Sequence, residues 1–182
     1  MTLIKTLTAS SSGTLSFVNG ADSVVLNDTY KKYIFKIINI HPSESASFTV
    51  GFRDGSTAYD ATKTTSYFRA YHQENAGGGV LAYDASFDLA QSTAFQDMTA
   101  DSVIADNDSG ISGILHLYDP SSTTFVKHFI ANINSIKAGS SPEMKTSFSA
   151  GYCNVTAAID AIQFKMDSGN MDSGTIKLYG IS

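Results

Sequence analysis

Short runs in which apolar and polar residues alternate, cut by clusters of Gly, Asn, Asp and Ser, fill almost the whole chain. Alternation with a period of two puts one face of an extended segment on a core and the other outside, so the pattern predicts β-strands joined by turns. Strands are expected over 3–7, 14–18, 30–40, 46–53, 64–72, 109–119, 125–133, 145–153, 159–166 and 175–181. Tyr30 to Ile40 is the longest apolar-rich run and reads as a central strand, apolar on both faces for part of its length and ended by His41-Pro42. Asn19-Gly20 and Asp54-Gly55 are strong turn dipeptides, the second of hairpin grade. The strand at 64–72 is expected to carry Tyr67, Arg69 and Tyr71 on one face and Phe68 and Ala70 on the other. The stretch from Val80 to Ala105 loses the alternation and predicts irregular structure with one or two short strands and a helical turn. Asp167 to Gly174 reads as a long turn.

The reading is therefore all-β: an antiparallel sandwich, jelly-roll-like, of about ten strands, folded as a single domain over residues 1–182. No linker-like shift in composition divides the chain and no repeat is evident. The segment Met1 to Ser10 reads as a first strand and not as a leader, because its apolar stretch is short and broken by Lys5.

Composition reinforces this picture. Ser and Thr make up roughly a quarter of the chain, suited to pleated surfaces and turns. Charged residues are only 16%, and the net charge is −5. With Lys31-Lys32 the only adjacent basic pair, neither nucleic acid nor an acidic membrane is an expected partner. The single cysteine, Cys153, has no partner for an intrachain disulfide; a buried thiol and synthesis in a reducing cytosol are expected.

Catalytic chemistry needs acids, bases, nucleophiles or metals brought together, and no such spacing is present. His41, His72, His116 and His128 show no zinc-type pairing with each other or with Cys and Glu, although His116 and His128 fall on neighbouring strands. Glu44, Glu74 and Glu143 lie in expected loops, ungrouped with any aspartate. The sequence thus predicts no cofactor and no enzyme. Asp106-Asn107-Asp108-Ser109-Gly110 gathers hard oxygen donors, so Asp106 and Asp108 are candidate cation ligands, with an Asx turn as the other reading. Tyr67, Arg69 and Tyr71 are the candidate glycan or subunit contact, unless that face packs against the opposite sheet.

Three segments resemble a known group. They are Thr64-Thr-Ser-Tyr-Phe-Arg-Ala-Tyr-His72, Asp119-Pro-Ser-Ser-Thr-Thr-Phe-Val-Lys-His-Phe129, and Asp160-Ala-Ile-Gln-Phe-Lys-Met-Asp-Ser-Gly-Asn-Met-Asp-Ser-Gly-Thr-Ile-Lys-Leu-Tyr-Gly-Ile181. They are similar to virion-associated proteins of tailed phages that infect marine and freshwater bacteria. The resemblance implies a non-enzymatic structural protein of the particle, assembled in the host cytoplasm and homotrimeric. It transfers no catalytic residue. The expected role is a capsid decoration (cement) protein bound to the major capsid protein; the alternative is a tail-fibre, baseplate or glycan-recognising module.

Overall fold

The computed structural model describes residues 1–137 and 141–182. Among the described residues there are twelve strands: β1 (Thr2–Thr8), β2 (Leu15–Val18), β3 (Lys32–Pro42), β4 (Phe48–Arg53), β5 (Lys63–Gln73), β6 (Gly79–Tyr83), β7 (Gln96–Asp97), β8 (Gly110–Tyr118), β9 (Lys127–Lys137), β10 (Glu143–Cys153), β11 (Ala161–Met166) and β12 (Met171–Ile181). Among the described residues a single 3-10 turn covers Ala85–Phe87. The strands form two antiparallel layers, an eight-stranded sheet in the order β1-β12-β3-β8-β9-β10-β5-β6 and a four-stranded sheet in the order β2-β11-β4-β7. The first half of the chain pairs with the second: β1 with β12, β2 and β4 with β11, β3 with β12, β5 with β10. That is the jelly-roll logic of a long antiparallel ribbon rolled into a sandwich. No helix among the described residues is long and apolar enough to cross a membrane.

The core lies between the layers and is built on phenylalanine. Phe17 meets Phe35 edge-on at 5.3 Å, Phe48 stacks on Phe164 at 5.8 Å, and Phe52 reaches Phe129 across the sandwich at 4.9 Å. Such pairs add about 0.5–1.5 kcal/mol each beyond the area they bury. Alternation supplies these side chains: Tyr33, Phe35 and Ile37 of β3 point inward, whereas Ile34, Lys36 and Ile38 do not. The expected two-sided apolar burial of this strand is therefore one-sided.

A bulge explains why β3 continues past its predicted end. Its register with β8 jumps between Ile37 and Ile40, and Asn39 takes a φ of 48°. Beyond the bulge Ile40 and Pro42 face inward. Proline fits because Met171, opposite it on β12, exchanges both backbone bonds with Ser12, at 2.9 and 2.8 Å, and asks nothing of Pro42. A second bulge in β12 lies alongside, where a Cβ on Gly174 (φ 112°) would stand 2.4 Å from the Asn39 carbonyl oxygen.

The turn dipeptides do reverse the chain, but not within one sheet. Asp54-Gly55 leads from β4 in the small sheet to β5 in the large one, so the expected hairpin there is an arch between layers. Asn19-Gly20 crosses in the same way, as does the stretch 167–170; the rest of the long turn expected over Asp167 to Gly174 is instead the start of β12, paired with β3 through Met171 and Ser173. Hairpins within the large sheet join β5 to β6 and β8 to β9. The pairing of β8 with β9 was expected from their short connection.

Candidate functional site

The large sheet has two unlike faces. Its inner face, where β9, β10 and β5 meet, contains cations. Lys63, Cys153 and Lys127 lie in one row across the three strands, all fully buried. The Lys127 ammonium donates to the carbonyl oxygens of Ser122 (3.2 Å), Phe125 (3.2 Å), Val155 (2.8 Å) and Ala157. Lys63 donates to the Ala61 carbonyl at 2.7 Å. Burial depresses both ammonium pKa values. The same burial pushes the Cys153 thiol up to about 12, against the smaller pull of the two lysines. The expected buried thiol is thus observed, but beside cations that the sequence neighbours of Cys153 do not reveal.

Farther along these strands Arg69 pairs with Asp84 (3.0 Å) and Asp101 (2.7 Å), and buried Lys145 with Asp101 (2.5 Å) and Glu143 (3.3 Å). Burial alone would raise the Asp101 pKa; the Lys145 hydrogen bond and charge, with Arg69, overcome it and hold the carboxyl below its usual range. Glu143, expected in a loop, opens β10 and belongs to this network.

This arrangement matches the other reading of the candidate contact on β5, packing against the opposite sheet. Tyr67, Arg69 and Tyr71 do share a face, as expected, but it is the inner one. Tyr67 is 0% exposed and packs on Phe87 at 5.3 Å, so it offers no platform to a glycan or a neighbouring subunit. Arg69 is engaged in ion pairs, and Tyr71 is half-buried beside Lys145 in register. Asp106 and Asp108 form an Asx turn: the Asp106 carboxylate accepts the Asp108 N–H at 3.2 Å, and the Asp106 carbonyl meets His41 Nε2 at 2.8 Å. Among the described residues no group of three or more His, Cys, Asp or Glu is placed to hold a metal ion. His116 and His128 share the outer face without pairing; His116 stacks on Tyr118 (6.3 Å) and His128 leans on Tyr152 (6.0 Å).

The outer face is the uncharged one over five adjacent strands. On β6, β5, β10, β9 and β8 the outward positions are Gly79, Leu81, Tyr83; the even-numbered residues 64–72; 144–152; 128–136; and 110–118. None is Asp, Glu, Lys or Arg. Phe68, Leu81, Tyr83, Ile114, Ile130, Ile136 and Met144 stand exposed there. Phe68 stacks on Phe148 at 4.7 Å, which stiffens the centre of this surface. Toward β3 the face sinks into a cleft of about 500 Å3, lined by Asn39, His41, Asp108, Ser112, Asn134 and Ile136 among others. The bulge in β3 builds its wall: Asn39 at positive φ receives the Ser112 hydroxyl on Oδ1 (3.2 Å) while its own N–H donates to Ser112 Oγ (3.0 Å). The face is uncharged and mixed: its exposed apolar side chains stand among Thr64, Ser66, His72, Ser112, His116, His128, Asn132, Asn134 and Thr146 of the same outward set. The sequence carried its signal in the alternate positions of five strands, which hold no formal charge.

No family model matches the chain, and no curated protein matches it.

Proposed function

We propose that the chain is a non-catalytic structural protein that works by docking, through the outer face of the eight-stranded sheet, onto an assembled protein surface. The observation carrying this reading is the absence of any formally charged side chain from the outward positions of five adjacent strands, where exposed isoleucine, phenylalanine, leucine and methionine stand instead. Water-facing sheets normally carry polar and charged side chains on their free side, so one that has no charge and exposes several large apolar side chains between its Ser, Thr, Asn and His suits a covered surface. Five strands spaced about 4.8 Å apart and some nine residues long give an area on the order of the ~800 Å2 per partner of a standard interface.

The setting is the head of a tailed phage, with the major capsid protein as partner and a decoration role. The resemblance of the 64–72, 119–129 and 160–181 segments supports that setting, and the surface supports the docking. The test uses phage heads with and without the protein. Labelled protein is expected on heads, and heads lacking it are expected to burst at lower temperature or weaker osmotic shock. An outward Phe148→Glu variant is expected to lose head binding while keeping the native fold. Label confined to tails, or heads equally robust without the protein, would sink the decoration role.

A further inference from the structure

The two outer edges of the large sheet are treated differently. On β1 the edge carries Lys5, and its register with β12 slips between Leu3 and Lys5; a charge and a bulge are both devices that keep another strand from adding on. On β6 the edge reads Gly-Val-Leu-Ala-Tyr, with no charge, no proline and no register shift. Leu81 is 77% exposed and Tyr83 64%.

The backbone of β6 can be assigned bond by bond. Asp84 N–H donates to the Tyr67 carbonyl and Gln73 N–H to the Gly78 carbonyl, which makes 67 with 84 and 73 with 78 the hydrogen-bonded pairs of the hairpin. Alternation then turns Val80 and Ala82 toward β5. The N–H and C=O groups of Gly79, Leu81 and Tyr83 point out of the sheet, and no residue among those described pairs with them.

We propose that β6 pairs antiparallel with the β6 of a second copy, about a two-fold axis through Leu81. Three features select a second copy. An isologous contact sets a patch against itself, and β6 has no charge to repel its own image. Centring on Leu81 matches the two rows of free N–H and C=O groups in register. It also sets Tyr83 opposite Gly79 of the partner copy, so a large ring covers the position that lacks a side chain. Within the large sheet the pair closes, because each copy uses the open β6 edge and the β1 edges stay guarded. A two-fold dimer therefore replaces the homotrimer that the family resemblance implies. The contact uses the backbone edge of β6, whose outward side chains Leu81 and Tyr83 also form the margin of the docking face, so the two roles are separated with a variant away from β6.

Directly opposed residues of a hydrogen-bonded antiparallel pair have Cα atoms about 5.5 Å apart, inside the range a disulfide spans. The test is Leu81→Cys in the full chain, whose native Cys153 is buried. Under mild oxidation at low micromolar concentration, Leu81→Cys is expected to form covalent dimer at least tenfold faster than Phe125→Cys, an exposed collision control. Wild type is expected to sediment as a dimer. Leu81→Pro deletes an N–H that β5 does not use, and is expected to sediment as a monomer with an unchanged circular dichroism spectrum. Leu81→Lys, which keeps the backbone donor and adds charge, is expected to do the same. Monomeric or trimeric wild type, equal cross-linking rates, or a Leu81→Pro protein that still dimerises would each overturn the proposal. Sedimentation of Phe148→Glu, which alters the docking face and leaves β6 intact, separates the two readings: a Phe148→Glu protein that no longer binds heads is still expected to be a dimer.

Discussion

The inner and outer faces of one sheet invert the usual rule of polarity. Over β5, β9 and β10 the buried face holds Lys63, Lys127, Lys145 and Arg69, whereas the outward positions of the same strands carry no formal charge. The inner cations are tolerated because each has partners: carbonyl oxygens for Lys63 and Lys127, carboxylates for Lys145 and Arg69. A buried ion without them would cost several kcal/mol. Outside, apolar side chains are exposed with nothing yet covering them. Charge here fastens the fold to itself, and the outer positions of the same strands do without it.

The sharpest way to break this comparison is to truncate the same residue type on each face. Phe129 is fully buried against Phe52, so Phe129→Ala should lower unfolding free energy by about 3–5 kcal/mol. Phe148, on the outer face of the adjacent strand, rests mainly on Phe68; Phe148→Ala should cost about 1 kcal/mol in the isolated protein. Urea unfolding of both variants measures the contrast. Equal losses would mean the outer face is already a core. Next comes Lys127→Ala, which strips four carbonyl oxygens of their donor. A loss of about 3 kcal/mol is expected, and a neutral result would show that water enters to replace the ammonium.

That inversion also sets what the sequence could tell. Every long strand was legible, because turn clusters and period-two alternation depend only on local chemistry. The parity within β5 was also correct, with Tyr67, Arg69 and Tyr71 together. Which parity faces inward was legible there only as one of two readings, since Arg69 argues for solvent until Asp84 and Asp101 are brought to it from elsewhere in the chain. In Lys127–Lys137 the same conflict recurs: both lysines share the parity of Phe129 and Ile133, while outward Ile130 and Ile136 look like core. A local pattern cannot register a cage of carbonyls donated by Val155 and Ala157. Layer assignment failed at Asp54-Gly55 for a related reason, as a turn encodes reversal and leaves the partner strand open. For the candidate site, the Asp106–Asp108 turn was legible as one of two readings. The uncharged outer face emerges once register shows which alternate residues lie side by side.

A smaller effect sharpens the inner half through pH. Asp101 titrates below its unfolded value because Lys145 and Arg69 favour its charged form against the cost of burial. A depressed carboxylate pKa contributes stability at pH values above the unfolded pKa of about 3.9, lost as pH falls through the folded value. Asp101→Asn should therefore cost about 1–2 kcal/mol at neutral pH, moderated by the half-exposed carboxylate, and narrow its deficit below pH 4. Thermal melts of both proteins from pH 7 to pH 3 give the comparison; parallel curves would remove Asp101 from the network.

The smallest effect concerns Cys153, between the two buried lysines. A cysteine beside cations usually ionises readily, but burial here outweighs both charges and pushes the thiol up to about 12. At pH 8 the folded protein should hold it protonated and out of reach, so a thiol reagent should label it only as fast as the sandwich opens. The linkage has a definite sign. Above about pH 8.5 the thiol of the unfolded chain loses its proton while the folded one keeps it, so this group lowers stability as pH rises from there. Cys153→Ala should remove that part of the alkaline slope and change little at pH 7 beyond the small cavity it leaves. Complete labelling of native protein within minutes at pH 8 would mean that Lys63 and Lys127 activate the thiol, and that the inner face carries chemistry as well as structure.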